Sequence, residues 1–266
     1  MIRKWELRFG TGSKLILVLP RKDSSALSQK EWENMFVDFL DDYKFIVVDF
    51  PEKLMQERKV SSLNIDDFDW SVGFMADELS TLIESLGKVY CTLGISLGGM
   101  ILQKYYFNSK SIIPTILIST MSEQNAKLKA VFNSWGLLAN KSGLVAFKYA
   151  LMPWIVNQDH LPIKMDVPDG GDEFSRIKEV ISIKSVLSHD STEGDTTLTR
   201  AAIIYGEKSP LINKSEVDSF GNHFKNITFY SVQNSGMRVL EENKSASIRF
   251  ITEFLESSSG VVNEKN

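Results

Sequence analysis

Residues 93–99 read Leu-Gly-Ile-Ser-Leu-Gly-Gly, which fits the pattern G-x-S-x-G between a predicted strand and a predicted helix. In such a turn the central residue, Ser96, takes a strained backbone conformation. Only small residues on either side let the strand and the helix approach closely enough to hold it. Ser96 is then expected at the carboxyl end of a sheet and at a helix N-terminus, where the N–H of Leu97 can donate to an oxygen that gains negative charge.

Strands and helices are predicted to alternate on both sides of this turn. Apolar runs predict strands at residues 14–19, 43–49, 89–93, 115–118, 201–205 and 227–232. Amphipathic periodicity predicts helices at residues 29–40, 70–86, 97–106 and 244–255. Strands that are apolar throughout need helices on both faces, so the sequence predicts an α/β fold with a doubly wound, mostly parallel sheet.

Residues 124–190 interrupt this alternation, because they show helical patterns rich in large apolar residues and no strand. We interpret them as a helical cap inserted into a core of residues 1–123 and 191–256, followed by a polar tail, residues 257–266, that we expect to be disordered. A ligand pocket is expected between cap and core, although packing of the cap onto the core is the alternative role for its apolar residues. The cap side chains predicted to bind a ligand are Trp135, Phe147, Met152 and Trp154.

The composition argues against several classes of partner. The 34 acidic and 30 basic residues give a formal net charge of −4 and form no long blocks, so neither nucleic acid nor an anionic membrane is an expected partner. Cys91 is the only cysteine and residues 1–6 do not resemble a signal peptide, which favours a cytoplasmic location. Three dispersed histidines form no metal-binding pattern, and no cofactor is predicted.

Over nearly its whole length the chain resembles the α/β-hydrolase superfamily, and within it the capped esterases, lactonases and C–C hydrolases. The resemblance is carried by the turn at residues 93–99, the strand-helix-strand opening, the strand that ends at 205–207 and the Glu-Glu-Asn stretch at 241–243 before the last helix. It implies that Ser96 is the nucleophile position, in a turn called the nucleophile elbow, and that Leu97 supplies an oxyanion N–H.

The resemblance also implies an acid and a histidine, and neither is present at the matching positions. Where the family has Gly-Glu-x-Asp, residues 206–209 end in Ser209, which cannot carry the negative charge that stabilises an imidazolium. Where the family has a histidine after a glycine, the chain has Met237, whose thioether cannot accept the serine proton. The second oxyanion N–H of the family comes from a His-Gly pair, and here Arg21 and Lys22 occupy that loop.

Another histidine could replace the missing base. His189, where the cap returns to the core, and His160, in a cap loop, are the candidates, with Glu123 as a relocated acid. His223 is predicted to lie on the surface in contact with solvent.

Three functions remain open from the sequence. The leading hypothesis is a pseudo-hydrolase with a degenerate triad that binds a small, largely apolar, carbonyl-containing ligand, and either only binds it or performs non-hydrolytic chemistry such as elimination, cyclisation or proton transfer. The second is a serine hydrolase for an ester, thioester or lactone with a relocated base and acid. The third is a non-catalytic protein-interaction module.

Overall fold

A seven-stranded sheet forms the centre of the protein in a computed structural model that describes residues 5–21, 27–161, 172–190 and 197–257. The strands in chain order are β1 Glu6–Phe9, β2 Lys14–Leu19, β3 Tyr43–Val48, β4 Cys91–Ile95, β5 Thr115–Ile118, β6 Thr197–Gly206 and β7 Phe224–Val232. Their order across the sheet is β1-β3-β2-β4-β5-β6-β7, with β1 antiparallel to β3 and all other neighbours parallel. The predicted mostly parallel α/β sheet is confirmed.

Helices cover both faces of this sheet. They are α1 Gln29–Met35, α2 Phe50–Glu57, α3 Val72–Leu86, α4 Leu97–Ser109, α5 Ala126–Lys141, α6 Gly143–Ile155, α7 Glu173–Leu187, α8 Lys214–Asp218, α9 Val239–Glu242 and α10 Lys244–Ser257. Along β2, Leu17 packs into one apolar cluster with α2, α3, α4 and the helices α5 to α7, whereas Ile16 packs into a second cluster with α1 and α10. Since alternate residues of a strand point to opposite faces, β2 contributes to both halves of the core. No helix of the described residues is long and apolar enough to cross a membrane.

The boundaries of several elements differ from the sequence prediction, and two of these differences change how a residue is assigned. The helix predicted over 29–40 ends at Met35 and is followed by a 3-10 turn, Val37–Phe39. The predicted tail begins one residue too early, because Ser257 is the last residue of α10, and residues 258–266 lie outside the described part of the chain.

Helix α2 was not predicted. The Asp49 side chain accepts a hydrogen bond from the N–H of Glu52 at 2.9 Å, and Pro51 occupies the first turn. Both features are ordinary signals for a helix N-terminus.

A buried ion triad joins the cap helix α7 to the core. The Lys178 ammonium lies 2.7 Å from an Asp49 oxygen and 2.9 Å from a Glu52 oxygen, and all three side chains are almost inaccessible to solvent. Burial raises the pKa of Asp49 above its ordinary value. Burial also disfavours the charge on Lys178, but the two carboxylates outweigh it and raise the pKa of the ammonium group. The triad therefore holds α7 against the start of α2 by a charge interaction shielded from water.

Replacing Lys178 with methionine should destabilise the fold strongly, because it leaves two buried carboxylates without their cation. We expect Lys178→Met to lower the free energy of unfolding by about 3–5 kcal/mol in urea denaturation. Lys184→Met is the matched control, since Lys184 lies in the same helix and pairs with Asp66 on the surface. The control should lose less than about 1 kcal/mol, and equal losses in the two variants would contradict the role of the triad.

Candidate active site

Ser96 lies in a strained turn between β4 and α4. Its backbone φ of 53° and ψ of −115° fall in a region that favours glycine. The turn is fixed on both sides, because the Ser96 N–H donates to the Ile118 carbonyl at 2.9 Å, and the Ser96 carbonyl accepts from Thr120 Oγ1 at 2.8 Å and from the Gly99 N–H at 2.9 Å. Such strain costs about 1–3 kcal/mol and persists only where neighbouring structure enforces it.

Two glycines allow the close approach that holds this turn. A Cβ atom on Gly94 would lie 2.7 Å from Gly99 Cα, within the crossing of β4 and α4. A Cβ atom on Gly98 would lie 2.1 Å from the carbonyl oxygen of Leu19, the last residue of β2. Neither position has room for a larger residue, which is the physical reason for the glycines of the G-x-S-x-G pattern.

Ser96 and Leu97 line a cavity of about 70 Å³ between the sheet and the cap helices. This volume holds several water molecules and therefore suits a small ligand. Its apolar wall on the cap side comes from Phe132, Trp135, Leu151, Ile155, Ile183 and Val186. Leu97 is the first residue of α4, where helix N–H groups have no partner within the helix.

Met237, at the position that matches the family histidine, also lines this cavity. The Met237 N–H donates to the Ile155 carbonyl at 2.8 Å, which ties the loop to the end of α6. The buried Glu242 carboxylate accepts from the N–H groups of Gly236 at 3.1 Å and Asn157 at 3.0 Å, so the same loop is held from a second side. The place of the Met237 side chain is therefore fixed by cap and core together.

Ser209, at the position that matches the family acid, lies behind the cavity and not in its lining. It is buried, and its Oγ accepts from the Ile212 N–H at 3.1 Å. The loop that carries it nevertheless abuts the Met237 loop, since a Cβ atom on Gly206 would lie 1.8 Å from the Gly236 carbonyl oxygen. The structure thus brings the two loops together, while the hydroxyl of Ser209 stabilises a turn.

Ser119 is a polar cavity residue that the sequence analysis missed. It directly follows β5, and because Ile95 pairs with Ile118, Ser96 and Ser119 follow neighbouring strands. Ser119 also has a positive φ, 48°, and is only 2% exposed. Its Oγ has no hydrogen-bond partner among the described residues, which costs about 1–3 kcal/mol for a buried hydroxyl.

Two arginines reach the same cavity. Arg21 lines it and forms an ion pair with Glu241 at 2.7 Å, and Arg238 lines it from the residue after Met237. Neither Glu241 nor Glu242 is among the lining residues. Lys22, the other residue predicted for the oxyanion loop, lies outside the described residues.

All three histidines of the chain lie within the described ranges, and none lines the cavity. His160 is on the surface, with Nδ1 3.1 Å from Glu242 Oε2. His189 is buried, with Nε2 3.2 Å from the Met121 carbonyl oxygen. The described contact of the His189 ring is thus with the segment that follows β5, and the ring is not among the groups that line the cavity beside Ser96.

His223 is also buried, so the prediction of a solvent-exposed ring is wrong. Its Nε2 lies 2.9 Å from Glu123 Oε1, and its ring contacts Phe107. Glu123, the predicted relocated acid, is thus paired with His223 and not with His189. The alternative triad of Ser96, His189 and Glu123 is not brought together.

Of the four cap residues predicted to bind a ligand, only Trp135 lines the cavity. Phe147 is fully buried and packs edge-on against Trp135 at 6.4 Å between ring centroids. Met152 and Trp154 are half-buried beside the cavity-facing residues of α6, which are Leu151 and Ile155. Leu151 and Ile155 are four residues apart, so they share the face of α6 that points to the cavity.

Substitution of Gly98 should prevent the elbow from forming, because the added Cβ atom would overlap the Leu19 carbonyl. We expect Gly98→Ala to give no folded protein, or one destabilised by more than about 3 kcal/mol in thermal and urea unfolding. Gly73→Ala in α3 is the control, since its Cβ atom would meet nothing nearer than 3.7 Å. That control should be neutral or stabilising by up to about 1 kcal/mol. Equal stability of the two variants would refute the close approach.

His189 should make the fold sensitive to acid. Burial lowers its pKa from 6.5 to about 4. Between these values the unfolded chain binds a proton that the folded chain does not, so its contribution, up to about 3 kcal/mol, is complete above about pH 7 and is lost as the pH falls towards 4. We expect urea unfolding of His189→Gln to depend less on pH in this window than that of wild type. His160→Gln should behave like wild type, and identical pH profiles for all three proteins would contradict the assignment.

Comparisons with known proteins identify the fold to which this site belongs. No family model matches the sequence, and no curated protein is significantly similar to it. MGS-M2, an α/β-hydrolase enzyme from a Medee basin deep-sea metagenome library, has a TM-score of 0.78 at 17% identity, over 95% of this chain and 94% of its own. An esterase from Thermogutta terrifontis gives 0.68 at 14% identity over 95% and 92% of the two chains, and MenH from S. aureus gives 0.66 at 17% over 96% and 98%. Identities this low speak only of architecture, and they establish that the chain has the α/β-hydrolase fold.

Proposed function

We propose that this protein is a pseudo-hydrolase that binds a small, largely apolar, carbonyl-containing ligand between the cap helices and the elbow, without triad-based ester hydrolysis. The observation that carries the proposal is the environment of Ser96. Met237 faces the same cavity, and all three histidine rings make their hydrogen bonds elsewhere.

The chemistry of Ser96 follows from this environment. A serine hydroxyl without an adjacent base stays protonated and is a weak nucleophile. In serine hydrolases, loss of the histidine or the serine lowers turnover by about a millionfold. An acyl-enzyme route in this cavity would therefore be too slow to serve as the activity of the protein.

The remaining groups suit the binding of a carbonyl compound. The N–H of Leu97 at the start of α4 and the hydroxyl of Ser96 can both donate to a carbonyl oxygen. The apolar side chains of α5, α6 and α7 exclude water and accommodate the rest of the ligand. Polarisation of the carbonyl in this setting also supports non-hydrolytic chemistry that needs no acyl-enzyme, as an extension of the same proposal.

A fluorophosphonate probe tests the proposal directly, because it reacts with activated serines. Wild type and Ser96→Ala should show the same absence of labelling, and both should hydrolyse 4-nitrophenyl acetate at the same background rate. Labelling of wild type that is lost in Ser96→Ala would overturn the proposal and favour a hydrolase with a relocated base.

The double variant Ser209→Asp/Met237→His is the matched positive control. It restores the acid and the base on two loops that already touch, and we expect it to gain labelling that depends on Ser96. A double variant that folds but stays unreactive would contradict the assignment of these two positions.

A further inference from the structure

Ser119, which directly follows β5, places a buried hydroxyl in the lining of the cavity. Its side chain is 2% exposed and lines the cavity, and its Oγ has no partner among the described residues. Buried hydroxyls in native proteins are nearly always hydrogen-bonded, so an exception requires an explanation. A ligand polar group in the cavity provides one, because it would complete the bonding of this hydroxyl.

The groups around Ser119 are mainly donors. Ser96, on the neighbouring strand end, adds a second hydroxyl, and α4, a helix of 13 residues, directs its N-terminal N–H groups and the positive end of its dipole at the same point. Arg21 and Arg238 add two guanidinium groups to the lining. Guanidinium and backbone N–H groups can only donate, so a ligand group that bonds to them must be an acceptor.

The charged and the apolar groups of the lining come from different parts of the chain. Among the residues that the structure describes, the lining contains two cationic side chains, Arg21 and Arg238, and no acidic one, and the nearby carboxylates, Glu241 and Glu242, lie outside it. The Glu242 carboxylate already accepts hydrogen bonds from the backbone N–H groups of Gly236, Arg238 and Asn157. The side chains that α5 and α6 contribute to the lining are all apolar, and Phe132 and Trp135 of α5 are in edge-on contact at 5.0 Å between ring centroids.

We infer that the ligand is an amphipathic carboxylic acid, with its carboxylate beside Ser96, Ser119 and the two arginines and its apolar part against the cap helices. This inference deepens the proposed function and rests on it. An ionised carboxylate is acceptor-only and has about four lone-pair sites, which match two hydroxyls, a helix N–H and a guanidinium. A primary amide of the same shape would place its own N–H₂ group against donors.

Charge favours a carboxylate over a phosphate monoester. Arg21 is already paired with Glu241, so a monoanion needs less neutralisation in the cavity than a nearly dianionic phosphate. The planar carboxylate also fits the fork of an arginine.

Matched acid and amide pairs test the inference. Phenylacetate with phenylacetamide, and hexanoate with hexanamide, would be titrated into the full-length protein at pH 7.5 by calorimetry, with phenyl phosphate as a further probe. Each acid should bind at least about tenfold more tightly than its amide, since hydrogen bonds to a charged group are stronger than neutral ones. Phenyl phosphate should bind more weakly than phenylacetate.

Variants assign the preference to named side chains. Arg238→Met should remove most of the difference between acid and amide, and Ser119→Ala should weaken acid binding about fivefold while leaving amide binding unchanged. Ser119→Ala removes a hydroxyl that lacks a partner among the described residues, so the variant should fold and keep the test valid if Arg238→Met does not. Arg249→Met, on the exposed side of α10, is the charge-matched control and should bind like wild type.

Each outcome decides between the proposals. Equal affinities for acid and amide would overturn the inference and leave the carbonyl-binding function standing. Tighter binding of phenyl phosphate would replace the carboxylate with a phosphate. If neither acids nor amides bind at millimolar concentration, the inference and the proposed ligand-binding function both fail. An acid preference that survives in Ser119→Ala and Arg238→Met would place the carboxylate elsewhere.

Discussion

The close packing of helix α4 against the ends of strands β2 and β4 is the constraint on which this structure depends. Gly98 lies so near the Leu19 carbonyl that no side chain fits between them. The contact forces the strand-to-helix turn to be sharp and holds Ser96 at a positive φ. It also sets the direction of the chain after Leu19, and two residues later Arg21 reaches the cavity that Ser96 lines. This single backbone contact therefore fixes the positions of both Ser96 and Arg21.

The parallel arrangement of the strands explains why the other polar residues of the site lie near Ser96. Their carboxyl ends lie along one edge of the sheet, and the loops that follow them meet there. Ser96 follows β4, Ser119 follows β5, and the loop after β6 touches the Met237 loop. The Lys178 triad holds α7 against the start of α2, and α7 contributes Ile183 and Val186 to the cavity wall.

The sequence predicts the parts of this arrangement that depend on local patterns. Apolar runs revealed the sheet, and the glycines revealed the elbow, because each reflects a constraint on a few consecutive residues. The Asp49 cap and Pro51 of α2 are also local signals, although the helix was not predicted from them. Pairings over long distances leave no such pattern, and the contact of His223 with Glu123 joins residues 100 positions apart. Helix α6 is apolar on nearly every side, so the spacing of its apolar residues does not indicate which face points to the cavity. Leu151 therefore could not be distinguished from Met152 as a cavity residue.

The backbone around the cavity is strained in a way that folding alone does not require. Glycine would satisfy the φ angles of Ser96 and Ser119 without the cost that a side chain brings in this region. Both positions nevertheless carry hydroxyls, and the one on Ser119 is buried without a partner among the described residues. A bound acceptor would recover part of the free energy that the unpaired hydroxyl costs. The hydroxyl is already removed from water in the folded chain, so binding adds little further desolvation cost. Preorganised donors of this kind increase affinity because they need no rearrangement on binding.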